Sequence, residues 1–538
     1  MRVSSATRPS ENVAMMNGVA PFALALLWLT ALVVIVQEMF GIFYETNDDV
    51  GMMMLAHGFG LASRPTDLLL YSNRLQGLVI MLLGWHFGIP GYSMYLFVCL
   101  LIGAGAIVAS LTRLNGLLTF DLLLVSVLLV RPIFAPQFTI VAGFLAMGAV
   151  ASLLCFERFR LTSDLVVAAS LGFLAFLMRV DALGLIVLLS APAVLRMSLI
   201  TARSALTIGL IVIVVTLAAW YWNVAGYDTP GWALYRAVDP LRAWFTDFGM
   251  TRALLAKPAL LHHVGWSVND ALMIKNWWFF DPTVYSIAKL REIVDLLGIT
   301  ATFSFTKARL LLGLEQFVGP SMMPTTALML VTLLFVPRGA RLRAAAVVVV
   351  LIALALVISS SGRLDVTRVY YPGACLAIVY SWCRLSRRAV MVLAVVAVLT
   401  SAFTLTHYIQ RAEAMKSERR AALVGIAQFS SHSLLFDWAG SLPYQALYPA
   451  FVRRVDVPPL RIYSLGSDQL APYALARWGG DPEGVVDQFT RGKGVSIIAN
   501  DALMQLLAVY CVQHWRGHLQ ILSRVQLGYA THYQARCR

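Results

Sequence analysis

Several apolar runs in this chain, 91–112 and 205–222 among them, approach or exceed about 18 to 20 residues without a charged side chain, the length a helix needs to cross a bilayer. Hydrocarbon offers no water to an unpaired backbone group, so such a run must close its own hydrogen bonds as a helix. Over 538 residues, 59% are hydrophobic and 13% charged, and the mean hydropathy is +0.74, far from a soluble domain. A membrane β-barrel would show short alternating strands in place of these continuous runs. The chain is read as an all-α polytopic membrane protein.

The runs place about eleven spans, near 18–40, 91–112, 117–135, 137–156, 164–180, 182–200, 205–222, 322–337, 343–360, 368–383 and 388–407. The stretch 75–87 is too short to span and is expected in the interface. Arg2 and Arg8 precede the first run, which is longer than a signal-peptide core and lacks a small-x-small cleavage pattern, so it reads as an uncleaved span. With a cytoplasmic amino terminus, the inner loops hold Arg113, Arg158 and Arg160, Arg196 and Arg203, Arg338, Arg341 and Arg343, then Arg384, Arg387 and Arg388. That alternation is the positive-inside pattern. It also accounts for much of the net charge of +14 without nucleic acid, since no basic tract interleaved with aromatics stands out.

The consequence is a gathering of charge on the outer side. Asp48 and Asp49 lie there, with Arg131, Arg179 and Asp181, the loop 359–368, the long segment 223–321 and the tail from 409. The segment 223–321 carries Trp232, Trp244, Trp266, Trp277 and Trp278 among Arg236, Arg242, Arg252 and Lys257, a composition suited to the headgroup level or to a sugar- or lipid-binding wall. The membrane domain is taken as 1–408, with outer loops 41–90 and 223–321. The tail 409–538 is richer in charge, Pro and Gly, and its short apolar runs predict a small extracytoplasmic α/β domain of roughly 130 residues. Four cysteines in or beside spans read as small apolar fillers. Cys511 and Cys537 can pair if the tail lies in an oxidising compartment.

Four outer features carry chemistry. Asn47-Asp48-Asp49 offers a carboxylate base, or two oxygen donors for a divalent cation; the plain alternative is a solvated turn. Arg74, after Tyr71-Ser72-Asn73, reaches either a phosphate or lipid headgroups. Arg179-Val180-Asp181 is either an ion pair closing a helical hairpin or a pair facing an outer cavity. Arg363 and Arg368, in Gly362 to Pro372, stand outside against the usual bias and suit bidentate capture of phosphate, with headgroup anchoring as the alternative. A base and a phosphate clamp on one face are what transfer from a phosphate-linked donor to a hydroxyl requires.

On these residues the chain resembles the GT-C superfamily of membrane glycosyltransferases, which includes the protein O-mannosyltransferases and the lipid A aminoarabinose transferases. The likeness rests on Asp48-Asp49 in the first outer loop, Pro65 with Tyr71-Ser72-Asn73 and Gly77, the Arg179-x-Asp181 turn, and Arg368-x-Tyr370-x-Pro372, over about the first 400 residues. It implies a polyprenyl-phosphate sugar donor, a glycan, lipid or protein acceptor, and inversion at the anomeric carbon outside the membrane. It implies Asp48 or Asp49 as base, Arg363 and Arg368 nearest the phosphate, and Asn47, Arg74, Arg179, Asp181 and Tyr370 in support. A divalent cation (Mg or Mn) on Asp48 and Asp49 is left open, and the tail carries no family motif. A bacterial cytoplasmic membrane is the expected location. The competing reading is a transporter or flippase for a lipid-linked or anionic solute, with Asp121 as an acidic residue near a span interior. A membrane acyltransferase would need His57 or His86 as base.

Overall fold

The computed structural model describes residues 11–194, 203–364, 366–427, 429, 434–527 and 530–538; Arg2, Arg8, Arg196 and Asp365 lie outside the described residues. Each expected apolar run falls on a helix where it is described; 195–200, the end of the run 182–200, lies outside the described residues. Six helices are long and apolar enough to cross a membrane: Gly18–Phe40, Gly91–Asn115, Phe138–Phe159, Ser204–Tyr227, Arg338–Ser360 and Arg387–Ile426. The other five runs form helices of 13 to 17 residues: Leu118–Phe134, Thr162–Met178, Val180–Val194, Met323–Phe335 and Thr367–Trp382. The interfacial stretch is the helix Arg74–Phe87, capped by Asn73 Oδ1, which accepts from Leu75 N at 2.9 Å.

Apolar side chains do not tell these helices apart, because lipid is as welcoming as a protein core. Small residues do. In Phe138–Phe159, 94% of the apolar window is buried, and it meets Gly91–Asn115 so closely that a Cβ on Gly148 would lie 2.9 Å from the Gly103 carbonyl. Ser204–Tyr227, equally apolar, is 6% buried and faces outward. Asp121 is buried at the start of its helix and accepts from Thr112, Asn115 and Trp382 Nε1, at 2.9 to 3.1 Å. Its carboxylate is fully engaged in holding three helices together.

The tail forms a five-stranded sheet: β1 Leu434–Trp438, β2 Arg461–Leu465, β3 Val495–Ala499, β4 Leu519–Gln526 and β5 Thr531–Cys537, in the order β2-β1-β3-β5-β4. β2, β1 and β3 run parallel, and β5 and β4 return antiparallel. Parallel strands are buried on both faces and need helices over them. Part of that cover comes from the segment 223–321. Its helices Ala233–Thr246, Met250–Leu255, Val268–Lys275 and Ile287–Leu297 share one hydrophobic core with the sheet. Trp278 sits at its centre, 4.6 Å from the Trp438 ring and 5.3 Å from Phe489. Of the tryptophans read from sequence as a headgroup surface or a sugar- or lipid-binding wall, Trp266 and Trp278 are buried in this core and Trp232 is buried in a smaller cluster beside it. The helix Arg387–Ile426 has 40 residues, about 60 Å at 1.5 Å per residue, roughly twice what a bilayer takes, so its second half runs on beyond a span towards the tail.

Cys511, on the helix Asp501–His514, is disulfide-bonded to Cys537 on β5, closing a loop of sequence separation 26. Chain-entropy arithmetic puts the constraint at about 3–4 kcal/mol. Cys511→Ser with Cys537→Ser is expected to lower the tail's thermal unfolding midpoint by several degrees, as is reduction of the wild type, with no further effect of reductant on the double variant.

Candidate functional site

The chain leaves its first span at Phe40 and crosses 41–46 before the helix Asn47–His57 begins. That crossing is held by two arginines. Arg411 donates to the carbonyls of Phe43 (3.4 Å) and Tyr44 (2.8 Å). Arg131 grips Glu45 with two bonds, of 2.6 and 3.1 Å, and also donates to Thr367. Two acidic residues in the first turn then suit the positive end of the helix.

Adjacent residues on a helix point about 100° apart, and the aspartates divide accordingly. Asp49 is buried. Its Oδ1 accepts from the Tyr92 hydroxyl (3.0 Å) and the Phe138 amide (3.1 Å), and its Oδ2 from Thr46 (2.8 Å). Burial pushes its carboxyl up to about 8. Asp48 faces the other way and makes no hydrogen bond or ion pair to a described residue; it lines two cavities that share it with Tyr71, Trp277 and Ser467. Burial raises its carboxyl above the usual range, against the opposing pull of Arg368, Arg179 and Arg363.

The larger cavity, about 590 Å³, has a charged end and an apolar one. Arg179, Arg242, Arg363 and Arg368 stand at the charged end with Asp48, while Leu185, Leu188, Leu354 and Ile358 continue it along the spanning helices. Arg179 is both things the sequence left open: it pairs with Asp181 at 3.1 Å and it lines the cavity, over the Phe138 ring. Arg242 is already matched by Asp239 and Asp247 and lies over Trp277. Arg363 and Arg368 form no ion pair among the described residues.

The smaller cavity, about 210 Å³, lies between the first turn of Asn47–His57 and the carboxyl ends of β1 and β2. Asn47 and Asp48 face Asp437, Ser464 and Asp468 across it. Burial pushes Asp437 up to about 7 and Asp468 up to about 6. Tyr71 and Ser467 join hydroxyl to hydroxyl at the seam between the membrane helices and the tail.

Of the sequence candidates, Asn47, Asp48, Arg179, Asp181, Arg363 and Arg368 reach a cavity wall. Three do not. Asp49 is spent on hydrogen bonds, Arg74 is held by Asp67 at 2.7 Å and lies over Trp222, and Tyr370 is buried against Phe317. Arg242, Trp277, Asp437 and Asp468 were not singled out as site residues. The usable signal was the turn chemistry after each strand, Asp437-Trp438-Ala439-Gly440 and Ser464-Leu465-Gly466-Ser467-Asp468. The donor set does not suit a cation shared by Asp48 and Asp49, because both Asp49 oxygens are occupied, and no group of three or more His, Cys, Asp or Glu among the described residues could hold a metal. His57 packs at Gly84 and His86 is exposed; neither lines these cavities, which leaves the acyltransferase reading without its base.

No family model and no curated relative matches this sequence. Two solved structures are similar along nearly the whole chain. ArnT from Cupriavidus metallidurans in the apo state is 13% identical, covering 96% of this chain and 98% of its own, with a TM-score of 0.42. ArnT from the same organism bound to undecaprenyl phosphate is 14% identical, covering 95% and 97%, with a TM-score of 0.40. Both scores fall below 0.5, and the functional reading is carried by this chain's own residues.

The division of the aspartates has a direct test. Asp49→Ala leaves the Tyr92 hydroxyl and Phe138 amide buried without an acceptor, at about 1–3 kcal/mol each, and is expected to lower the thermal midpoint by several degrees. Asp48→Ala should leave it within a degree or two. Because the folded protein raises the Asp49 pKa, its contribution is complete below the ordinary carboxylate pKa and is lost as pH rises through about 8. Asp49→Asn should therefore flatten the fall in midpoint between pH 6 and pH 9.

Proposed function

We propose that this chain is an integral-membrane glycosyltransferase of the GT-C type, moving a sugar from a polyprenyl-phosphate donor to a hydroxyl acceptor on the extracytoplasmic side. The observation that carries the reading is Asp48: a carboxylate unpaired among the described residues, where a polar cavity meets an arginine-lined one that also takes in apolar helix side chains. A polyprenyl phosphate has the matching shape, an anionic head for Arg363, Arg368 and Arg179 and a hydrocarbon chain for Leu185, Leu188, Leu354 and Ile358.

In this reading Asp48 is the base. The acceptor hydroxyl gives its proton to the Asp48 carboxylate as its oxygen attacks the anomeric carbon; the bond from that carbon to the phosphate oxygen breaks, and the arginines receive the charge left on the phosphate. One displacement inverts the anomeric centre. A base raised above the ordinary carboxylate range holds a transferred proton better than a solvated aspartate would. Arg242 neutralises Asp239 and Asp247 beside the site, and Asp49 positions the helix that carries Asp48. No step requires a metal.

The location that fits is a bacterial cytoplasmic membrane, with the amino terminus inside and the tail outside. The transporter alternative lacks support from the charges. Asp121, its candidate relay, is fully bonded at a helix end, and the free charges stand at one rim of the bundle.

The test is full-length protein in nanodiscs with a series of polyprenyl-phosphate sugars, scored by release of polyprenyl phosphate. Asp48→Asn is expected to reduce turnover about 10²- to 10⁴-fold with unchanged thermal stability, and Arg368→Ala about 10²- to 10³-fold. Activity should be lost as pH falls through the Asp48 pKa, with that limb above the usual carboxylate range. Undiminished release by both Asp48→Asn and Arg368→Ala, or release from no donor, overturns the assignment.

A further inference from the structure

A third cavity, about 750 Å³, shares no lining residue with the two that meet at Asp48. It is a groove between the end of the first span, the second half of the helix Arg387–Ile426 and the tail segment 449–456. The protein itself holds these walls together. The Ala450 amide donates to the Ile42 carbonyl at 2.9 Å, Phe451 stacks on Phe97 at 5.4 Å, and Phe40 packs against Tyr408 and Ala412. The groove also has a definite level. Lys416 stands beside Gly41, where a Cβ would lie 3.7 Å from Lys416 Cε, so the cavity begins where the first span ends. Nearer the span centres, Val34, Ile35 and Met39 on the first helix and Leu399 and Phe403 on the long one are exposed, as side chains that meet acyl chains are. A groove just past such a surface lies at the height of lipid headgroups.

Its charges are only partly matched from within. Lys416 pairs with Glu413 and Arg453 with Asp456, each at 2.9 Å. Arg419, Arg420 and Glu38, which also line the groove, form no ion pair among the described residues. Arg419 donates to the Asp456 carbonyl at 3.3 Å, but its Nε is buried with no acceptor. Gln37 Oε1, beside Glu38, is buried with no donor. Buried polar atoms are rarely left so. The unused groups therefore come in two kinds, guanidinium donors on the long helix and oxygen acceptors on the first span. An occupant that is only anionic would meet Glu38 as a like charge, and one that is only cationic would meet the arginines. The complement is a zwitterion: phosphate for the guanidiniums, and an ammonium with N–H donors for the carboxylate and the amide oxygen.

We propose that this groove binds the headgroup of a phosphatidylethanolamine, with the phosphate on Arg419 and Arg420, the ammonium on Glu38 and Gln37, and the acyl chains along the exposed faces of the two helices. The assignment stands apart from the glycosyltransferase reading. The bound lipid touches all three walls at once. It braces Gly41, Ile42 and Phe43, the start of the crossing that leads to Asp48, and it fastens the tail segment to the bundle.

The test is native mass spectrometry of delipidated full-length protein, titrated with phosphatidylethanolamine, phosphatidylcholine and phosphatidylglycerol of identical acyl chains, beside the thermal midpoint at each concentration. Phosphatidylethanolamine is expected to bind about tenfold tighter than phosphatidylcholine, whose quaternary nitrogen has no N–H to donate, and to raise the midpoint by several degrees. Arg420→Ala should weaken binding of phosphatidylethanolamine and phosphatidylglycerol alike. Glu38→Gln should weaken phosphatidylethanolamine alone. Both side chains are exposed and without an ion pair among the described residues, so the lipid-free midpoints of the variants should match the wild type. Equal binding of the three lipids, or phosphatidylethanolamine binding indifferent to both variants, overturns the site. Phosphatidylglycerol binding tighter than phosphatidylethanolamine, and strengthened by Glu38→Gln, overturns the zwitterion in favour of an anionic headgroup. Displacement of the lipid by an equal concentration of soluble glycerophosphoethanolamine overturns the membrane as its source.

Discussion

The ion pair between Glu45 and Arg131 is the constraint on which the site depends. Arg131 is 1% exposed and lies over the Tyr371 ring, so its charge is far from water and has Glu45 as its only ion-pair partner among the described residues. A buried pair of this kind contributes little net stability, because desolvation offsets most of the attraction, but losing one member leaves a stranded charge. Its contribution is position. The Glu45 bond ties the crossing 41–46 to the helix Leu118–Phe134, and the Thr367 bond ties both to the helix that starts beside Arg368. The first turn of Asn47–His57 is thereby set against the arginines across the cavity.

From that anchor the electrostatics of the site follow. Four guanidinium groups and three carboxylates around one cavity would be self-defeating if all were free. They are not: Arg242 has Asp239 and Asp247, and Arg179 has Asp181. Among the described residues, Arg363 and Arg368 on one side and Asp48 on the other have no ion-pair partner. Burial outweighs the arginines at Asp48, so its carboxyl moves up, not down. A carboxylate locked against a single arginine would be a poorer proton acceptor; one held apart from several keeps its basicity while the arginines stay available to an anion.

What could be read from the sequence follows from how strictly physics constrains each feature. Hydrocarbon forces a backbone to close its own hydrogen bonds, so each apolar run appears as a helix where it is described, while only six of these helices reach the length a bilayer demands and one has 13 residues. The gathering of Asp48, Arg179, Arg363 and Arg368 around one cavity was legible because the alternation of arginine-bearing loops put them on one side of the apolar runs. Tryptophans did not discriminate, since a headgroup surface and a sugar- or lipid-binding wall select the same side chains, and neither reading anticipated that the helices of 233–297 cover the sheet. The choice between Asp48 and Asp49 was hidden altogether. It depends on Tyr92 and Phe138, 43 and 89 residues away, which only the fold brings to Asp49. Arg74, left open between a phosphate and lipid headgroups, pairs with Asp67 seven residues earlier, a contact that sequence spacing in a loop does not reveal.

The tail's part in the site also explains an arrangement that would otherwise be wasteful. A sheet domain could hang from a membrane bundle on a flexible linker, yet here it is held by the rigid second half of Arg387–Ile426 and shares a core with an outer segment inserted between spans. Tyr71 reaches Ser467 across the seam, and the Gly60 carbonyl accepts from Ile462 in β2 at 3.1 Å. Those contacts hold the carboxyl ends of β1 and β2 in fixed relation to the first turn of Asn47–His57. A cavity of about 210 Å³ assembled from two domains cannot tolerate drift of even an ångström between them, since hydrogen-bond geometry is lost over that distance. The rigid mounting is therefore what a shared polar crevice requires, and a tail acting independently of the membrane bundle would have no need of it.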